Sequence, residues 1–418
     1  MVIFKVFIVR RISGATGTRG YFVIREISYA SFAIIMTGTP NVYTRVCCRT
    51  MTIQQDAVPG SAAAEERALN ENAACALDRR RDAGLDGLSG GLDSVIIAVE
   101  TDNLVPACYE LLRYTGLSCT GGFFDADSQS YVLGVPGSAS LVVRSRGGVQ
   151  NPFARVNTAR LTGPLLNTRL ETFVFTTPDI GEYVAIQKER GVKFLTPAPL
   201  VSDTFSFIQT TPSPYTGNSI GFIEWQDGMR TYVPAGATPV SPDIAKPAYR
   251  HLNHISRLDH AATRVRAQDR AAAILEFISL TSYHYDFGVH VKSLNSITSV
   301  ARRGNEDFAM VFTSGITPYT SDKASGPTEK FIKNYGTRVH HMAFLTDGIE
   351  DTVAMLKKDG MGFLLDLVGS EAEGLMQIFS EPSQHTLIVN EYIHRYGDFD
   401  GFFTKSNVER LTEATNRQ

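Results

Sequence analysis

Thr337-Arg338-Val339-His340-His341-Met342-Ala343-Phe344-Leu345-Thr346 decides how the chain is read. The ten residues form a strand, with Val339, His341, Ala343 and Leu345 expected on one face and His340, Met342 and Phe344 on the other. A histidine midway along an apolar strand face calls for partners, and two other stretches supply them. Arg257-Leu258-Asp259-His260-Ala261-Ala262 opens a strand with a histidine in the matching place. Leu387-Ile388-Val389-Asn390-Glu391-Tyr392-Ile393 is a third apolar strand, with one carboxylate near its centre. Two histidines and one carboxylate on strands make the ligand set of a non-haem Fe(II) oxygenase, which leaves metal positions for substrate and O2. The metal ligands read from the sequence are therefore His260, His341 and Glu391.

The same strand opening recurs four times. Leu92-Asp93-Ser94-Val95-Ile96, Leu170-Glu171-Thr172-Phe173-Val174, Leu258-Asp259-His260-Ala261-Ala262 and Val339-His340-His341-Met342-Ala343 each precede an amphipathic helix and then further strands. In the second unit Pro178 suits the first helical turn and Gly191 the stop. In the fourth, Ile349, Val353 and Leu356 share a face, Thr346 or Asp347 can cap the start and Gly360 ends it. One such unit cannot cover its own sheet, so the units pair into two curved, barrel-like sheets with helices outside. The fold class is α+β, four βαβββ modules in two open barrels. Residues 1–90 are a leader, flexible or transit-like, with one helix near Ala62–Arg81; residues 91–240 form the first two-module domain. A linker lies near Pro234–Leu252, and residues 253–418 form the second domain. At the third position of the openings stand Ser94, Thr172, His260 and His341, while Ser219–Trp225 parallels Thr386–Tyr392 and places Glu224 beside Glu391. The N-terminal pair keeps the scaffold and an acid without histidines, so it binds no metal. All nine histidines fall between His251 and His394.

Composition narrows the function. With 418 residues, 43% hydrophobic, 20% charged and a net charge of −3, the chain has the make-up of a soluble globular protein and no basic footprint for nucleic acid. No apolar run reaches the ~20 residues that span a bilayer. Cys47, Cys48, Cys75, Cys108 and Cys119 show no CxxC spacing and read as reduced thiols. Residues 1–50 carry seven basic residues against Glu26 alone. That leaves open an organelle transit segment or translated sequence ahead of a start at Met51; the expected location is the cytoplasm, or the mitochondrion if the segment is a transit peptide.

The arrangement resembles the vicinal oxygen chelate superfamily over about residues 90–415, and its C-terminal half resembles the 4-hydroxyphenylpyruvate dioxygenase family. Leu258-Asp259-His260, His341-Met342-Ala343-Phe344 and Glu391-Tyr392-Ile393-His394-Arg395 match the family's three ligand motifs. Leu294-Asn295-Ser296, Gln377-Ile378-Phe379 and Gly401-Phe402-Phe403-Thr404-Lys405-Ser406-Asn407-Val408 match its pocket and lid motifs. The resemblance implies Ser296, Gln377, Phe379, Phe403 and Asn407 as pocket and catalytic residues, with Phe403 and a helix over Asn407–Thr415 covering the site. It also implies Fe(II) as cofactor, O2 as co-substrate and a 2-oxo acid substrate that is oxidatively decarboxylated and hydroxylated. The leading substrate is 4-hydroxyphenylpyruvate, giving homogentisate, or a related arylpyruvate, in a homo-oligomer (dimer or tetramer). Mandelate-type side-chain hydroxylation and extradiol catechol cleavage are the alternatives. The pocket departs from the family pattern at Phe312-Thr313-Ser314-Gly315, where Ser314 replaces an amide, at Gly326-Pro327-Thr328-Glu329-Lys330, at His340 and at Val408.

Overall fold

The computed structural model describes residues 62–418, except 126–127, 148–149, 227–229, 398 and 400. The expectations for residues 1–61 lie outside the described residues. After helix α1 (Ala62–Asp82) the chain runs through four modules. The first is β1 (Leu92–Val99), α2 (Leu104–Tyr114), β2 (Ser118–Phe124), β3 (Ser128–Gly134) and β4 (Ser140–Arg146). The second is β5 (Arg169–Thr176), α3 (Ile180–Glu189), β6 (Leu200–Val201), β7 (Phe205–Gln209) and β8 (Ser219–Trp225), followed by β9 (Thr238–Val240). The third is β10 (Ile255–Arg264), α4 (Arg270–Leu280), β11 (His284–Val291), β12 (Ser296–Arg302) and β13 (Ala309–Gly315), followed by α5 (Pro327–Tyr335). The fourth is β14 (Arg338–Thr346), α6 (Ile349–Lys358), β15 (Val368–Ser370), β16 (Leu375–Pro382) and β17 (Val389–Arg395), followed by α7 (Lys405–Ala414).

The modules pair into two sheets. One has the order β6-β7-β8-β5-β1-β4-β3-β2-β9 and the other β11-β12-β13-β10-β14-β17-β16-β15. In each, two opening strands run antiparallel at the centre, and each lies parallel to the last strand of its own module. These central strands are buried on both faces, which explains their near-continuous apolar runs. Val95, Ile97 and Val99 of β1, Phe173 and Phe175 of β5, and Met342 and Phe344 of β14 join one core with Leu111 of α2, Tyr183 of α3, Phe277 of α4 and Leu356 of α6. The opposite sheet faces line the two half-barrels. Paired buried arginines tie the halves together: Arg169 donates to the Thr337 carbonyl at 2.7 Å, and Arg338 to the Thr168 carbonyl at 2.8 Å.

Several local expectations change. Residues 62–90 are not a free leader, because α1 buries Leu69, Ala73 and Ala76 in the shared core. Its Glu66 meets Tyr285, Arg270 and His290 of the C-terminal half. The linker contributes β9, which pairs with β2 at that sheet's edge. The cap of α3 is Asp179, whose carboxylate accepts from the Glu182 N–H at 2.8 Å, so Pro178 lies before the helix. Gly348, not Thr346 or Asp347, holds the N-cap of α6 in the left-handed region. The last strand starts at Val389, since Leu387 turns the chain at a φ of 60°. Among the described residues, no helix is long and apolar enough to cross a membrane.

Candidate metal centre

Strand pairing assembles the site. His260 lies opposite Ala343 on β14, and Ala343 lies opposite Glu391 on β17, so one row across three strands reads His, Ala, Glu. His341 stands two residues before Ala343, on the same face. The small side chain at Ala343 leaves room for its neighbours to converge. His260 Nε2 approaches Glu391 Oε2 to 3.0 Å and His341 Nε2 approaches the same oxygen to 3.2 Å. One donor atom from each of the three lies within 4.8 Å of the others, all buried. Among the described residues His260 Nε2 makes no hydrogen bond despite that approach. A buried, unbonded donor nitrogen aimed at a carboxylate and a second imidazole fits a metal ion held between them.

Outer contacts fix each of the three. His260 Nδ1 lies 2.8 Å from Asp259 Oδ2, and Arg395 grips Asp259 at 2.6 and 3.1 Å. Arg395 therefore pairs with Asp259, not with Glu391 as a strand-end salt bridge would have it. The Gln377 amide donates to Glu391 Oε1 at 2.6 Å, and Asn407 donates to Gln377 Oε1 at 3.0 Å. His341 Nδ1 lies 2.8 Å from His340 Nδ1, whose Nε2 lies 2.8 Å from Gln418 Oε1. A free lone pair on His341 Nε2 requires the proton on Nδ1. His340 then accepts it and donates onward to Gln418. Such partners set tautomer and ring orientation in metal centres. Rings close the surround, with Phe402 and Phe403 at 5.4 and 5.2 Å from His260 and Phe379 at 4.6 Å from His341.

Charge separates the two imidazoles. Burial works against charging His260, but Glu391 and Asp259 outweigh it and hold its pKa up at about 9. Burial together with the nearby His340, His260 and Arg264 pushes His341 well below the ordinary value. One imidazole is thus ready as a neutral ligand, while the other gives up a proton when a cation arrives.

His340 occupies a bulge: Ala262 pairs with His341 and Thr263 with Val339, and His340 is skipped. The bulge moves Val339 to the helix-side core and lets both histidines line one cavity, which strict alternation does not allow. That cavity, about 40 Å³, is bounded by the triad's His341 and Glu391, by Arg264, Thr298 and Thr313, and by Phe403, Val408 and Leu411 of the C-terminal segment. Gln377, Phe379 and Phe403 face it. Ser296 and Asn407 do not: Ser296 is fully buried, its hydroxyl without a partner among the described residues, and Asn407 acts through Gln377. Thr313, not Ser314, presents its side chain here, as the Ser314 hydroxyl turns back to the Gly315 carbonyl. Covering helix α7 starts at Lys405, two residues earlier than expected, capped by the Thr404 hydroxyl on the Asn407 N–H.

Arg264 escaped the sequence reading, although its place four residues after His260 puts both on one strand face. The charge is expensive to bury, by several kcal/mol. Among the described residues its one close side-chain partner is the Phe331 ring, whose centroid lies 4.5 Å from the guanidinium carbon, worth about 0.5–2 kcal/mol. Desolvation wins, and burial lowers the Arg264 pKa to about 9.

The N-terminal sheet differs from the expectation at one point. Thr172 pairs with Ser219 as His341 pairs with Val389, which sets Gly221, not Glu224, at the place of Glu391. A Cβ at Gly221 would stand 3.1 Å from Phe207, Thr172 and Val174. Glu224 instead accepts from the Ile180 N–H at 3.0 Å, at the start of α3. Glu171 lies buried between Arg144 and Arg146 at 2.5 to 2.6 Å. Among the described residues, the His260, His341 and Glu391 group is the one set suited to a metal.

No family model matches the chain and no curated protein matches it. Solved structures do. A triple mutant of 4-hydroxymandelate synthase from Streptomyces coelicolor aligns with a TM-score of 0.61 at 18% identity, over 79% of this chain and 99% of that one. The chain has the two-domain vicinal oxygen chelate fold. A xylose isomerase-like TIM barrel/4-hydroxyphenylpyruvate dioxygenase fusion protein aligns with a TM-score of 0.57 at 15% identity, over 84% of this chain and 58% of that one. In this chain the first two modules keep the scaffold, and the last two carry the His260, His341 and Glu391 group that could hold a metal ion.

Proposed function

We propose that the chain is a non-haem Fe(II) dioxygenase that decarboxylates and hydroxylates a 2-oxo acid, 4-hydroxyphenylpyruvate or a related arylpyruvate. The observation that carries this reading is the buried convergence of His260, His341 and Glu391, each held by its own outer partner. Fe(II) bound by these three would supply Lewis acidity and the one-electron chemistry that O2 requires. The protein's own part is binding, orientation and exclusion of water. Gln377 holds Glu391 and stands at the cavity wall, where a substrate oxygen can compete for its amide. Phe379, Phe403, Val408 and Leu411 offer an apolar wall to an aryl or alkyl group. Phe402 and Phe403 against His260 keep water from the reacting atoms.

Substrate entry needs movement of α7. Ligand pockets run to roughly 300–1,000 Å³, whereas the space here is about 40 Å³. The C-terminal segment supplies Phe403, Val408, Leu411, Thr412 and Thr415 to the wall, so shifting it outward opens the site toward solvent.

Similarity to a 4-hydroxymandelate synthase favours a second reading, in which hydroxylation falls on the side chain. Oxygen uptake by Fe(II)-reloaded protein with 4-hydroxyphenylpyruvate, phenylpyruvate, 2-oxoisocaproate or catechol tests both, with His341→Ala as control. Uptake with a 2-oxo acid, matched by CO2 release and lost in the variant, is the expected result, and ring- or side-chain-hydroxylated product decides between the two. Uptake with catechol alone would move the assignment to ring cleavage.

A further inference from the structure

We infer that Arg264 receives a second carboxylate of the substrate, which makes the pocket one for a 2-oxo acid with an anionic tail. The inference rests on the 2-oxo acid reading above. Arg264 ends β10, on the face that carries His260, and its side chain enters the cavity shared by His341, Glu391 and Gln377. It is 3% exposed, and its Nη1 has no hydrogen-bond partner among the described residues. The other three arginines buried to this degree all donate. Arg169 reaches two carbonyls and Asn157, Arg270 reaches Glu66 and Ser299, and Arg338 reaches the Thr168 carbonyl. None of the described carboxylates forms an ion pair with Arg264.

The surroundings match a carboxylate. The guanidinium carbon lies 4.5 Å from the Phe331 ring centroid, a contact that uses none of its N–H groups as hydrogen-bond donors to an oxygen, and a guanidinium fork suits a planar, two-oxygen ligand. Thr313 on β13 pairs with Arg264, and Thr298 on β12 pairs with Thr313. The row places two hydroxyl-bearing side chains beside the guanidinium, on the cavity wall. Charge points the same way. Fe(II), the Glu391 carboxylate and one chelating substrate carboxylate sum to zero, and Asp259 neutralises Arg395. A monoanionic substrate would leave Arg264 as the uncompensated charge of a closed site; a second carboxylate removes it.

Matched pairs of probes test this without turnover. 2-Oxoadipate against 2-oxohexanoate, and 4-carboxyphenylpyruvate against 4-methylphenylpyruvate, differ by one distal carboxylate. Calorimetric titration into the Co(II)-loaded full chain should show the dicarboxylate of each pair at least tenfold tighter. Arg264→Met should bring that ratio below twofold, and Arg264→Lys should keep part of it. Arg264→Met should also raise the Tm of the unliganded protein, since it removes a buried unpaired charge, whereas a structural arginine would lower it. Equal affinities within each pair in the wild-type protein, or a ratio that survives Arg264→Met, would overturn the inference and leave the 2-oxo acid reading intact. Absence of metal-dependent binding by all four probes would overturn both.

Discussion

Asp259→Asn separates ligand positioning from proton competition at the metal centre. Asp259 serves two partners with its two oxygens, His260 Nδ1 at 2.8 Å and Arg395 at 2.6 and 3.1 Å. An Asn keeps one acceptor, so either the imidazole or the guanidinium loses its hold. Loss of such an outer partner lowers metal affinity by about 10–100-fold, or roughly 1.4–2.8 kcal/mol. A second effect opposes it. With His260 at about 9, a metal binding at pH 7 displaces a proton at a cost of about 2.7 kcal/mol (two pH units). Removing the Asp259 charge lowers that pKa, although Glu391, the larger of the two raising influences, remains. Only part of the competition is relieved, so the variant binds metal more weakly throughout, and its deficit is larger at pH 9 than at pH 6.5. Chelator competition with Co(II) at the two pH values measures both. A deficit independent of pH, or none, would refute the reasoning. The same pKa has a consequence for stability. A raised histidine stabilises the metal-free fold fully below its unfolded value of 6.5. That contribution disappears as pH rises through about 9, which amounts to at most about 3 kcal/mol in thermal melts of the metal-free protein.

Three further outcomes are expected. Ala343→Leu fills the gap between His260 and Glu391 and should abolish metal binding, measured by metal content after reloading, with circular dichroism checking that the sheet persists. Glu171→Gln should cost about 1–3 kcal/mol in denaturant unfolding, because it takes the charged partner from the partly buried Arg144 and Arg146; metal affinity should not change. Glu66→Gln should loosen α1 by about 1–2 kcal/mol, seen as faster amide exchange in that helix. Burial pushes the Glu66 pKa up, but the Tyr285 hydroxyl, Arg270 and His290 outweigh it and hold it below the usual range. Its contribution is therefore present above about pH 4.5 and fades as pH falls through the lower folded value. Docking of α1 that is indifferent to pH between 3 and 6 would refute that role.

Side-chain alternation is a local property, and it explains what was legible. Ser94, Thr172, His260 and His341 share one place in four repeated openings, so the chain alone placed both histidines in matched, central positions. Periodicity and stops likewise revealed α6 and the four-module plan. Relations between strands were not legible. Glu224 and Gly221 exchange roles because the partner of Thr172 is set by how β8 docks on β5, three residues from the alignment that matching the acids suggests. The bulge that brings His340 to the cavity exists only in the pairing of β10 with β14. Arg395 turned out to hold Asp259 because β10 and β17 flank β14, and α1 found its place on the C-terminal half through contacts some 200 residues away in sequence. The module plan and the choice of His260, His341 and Glu391 as candidate ligands could be read from the chain, since face and spacing follow from backbone geometry within one strand. That Arg264 stands in the cavity with no counter-charge among the described residues emerged from the packing alone, because a missing partner is a property of every element packed around a side chain.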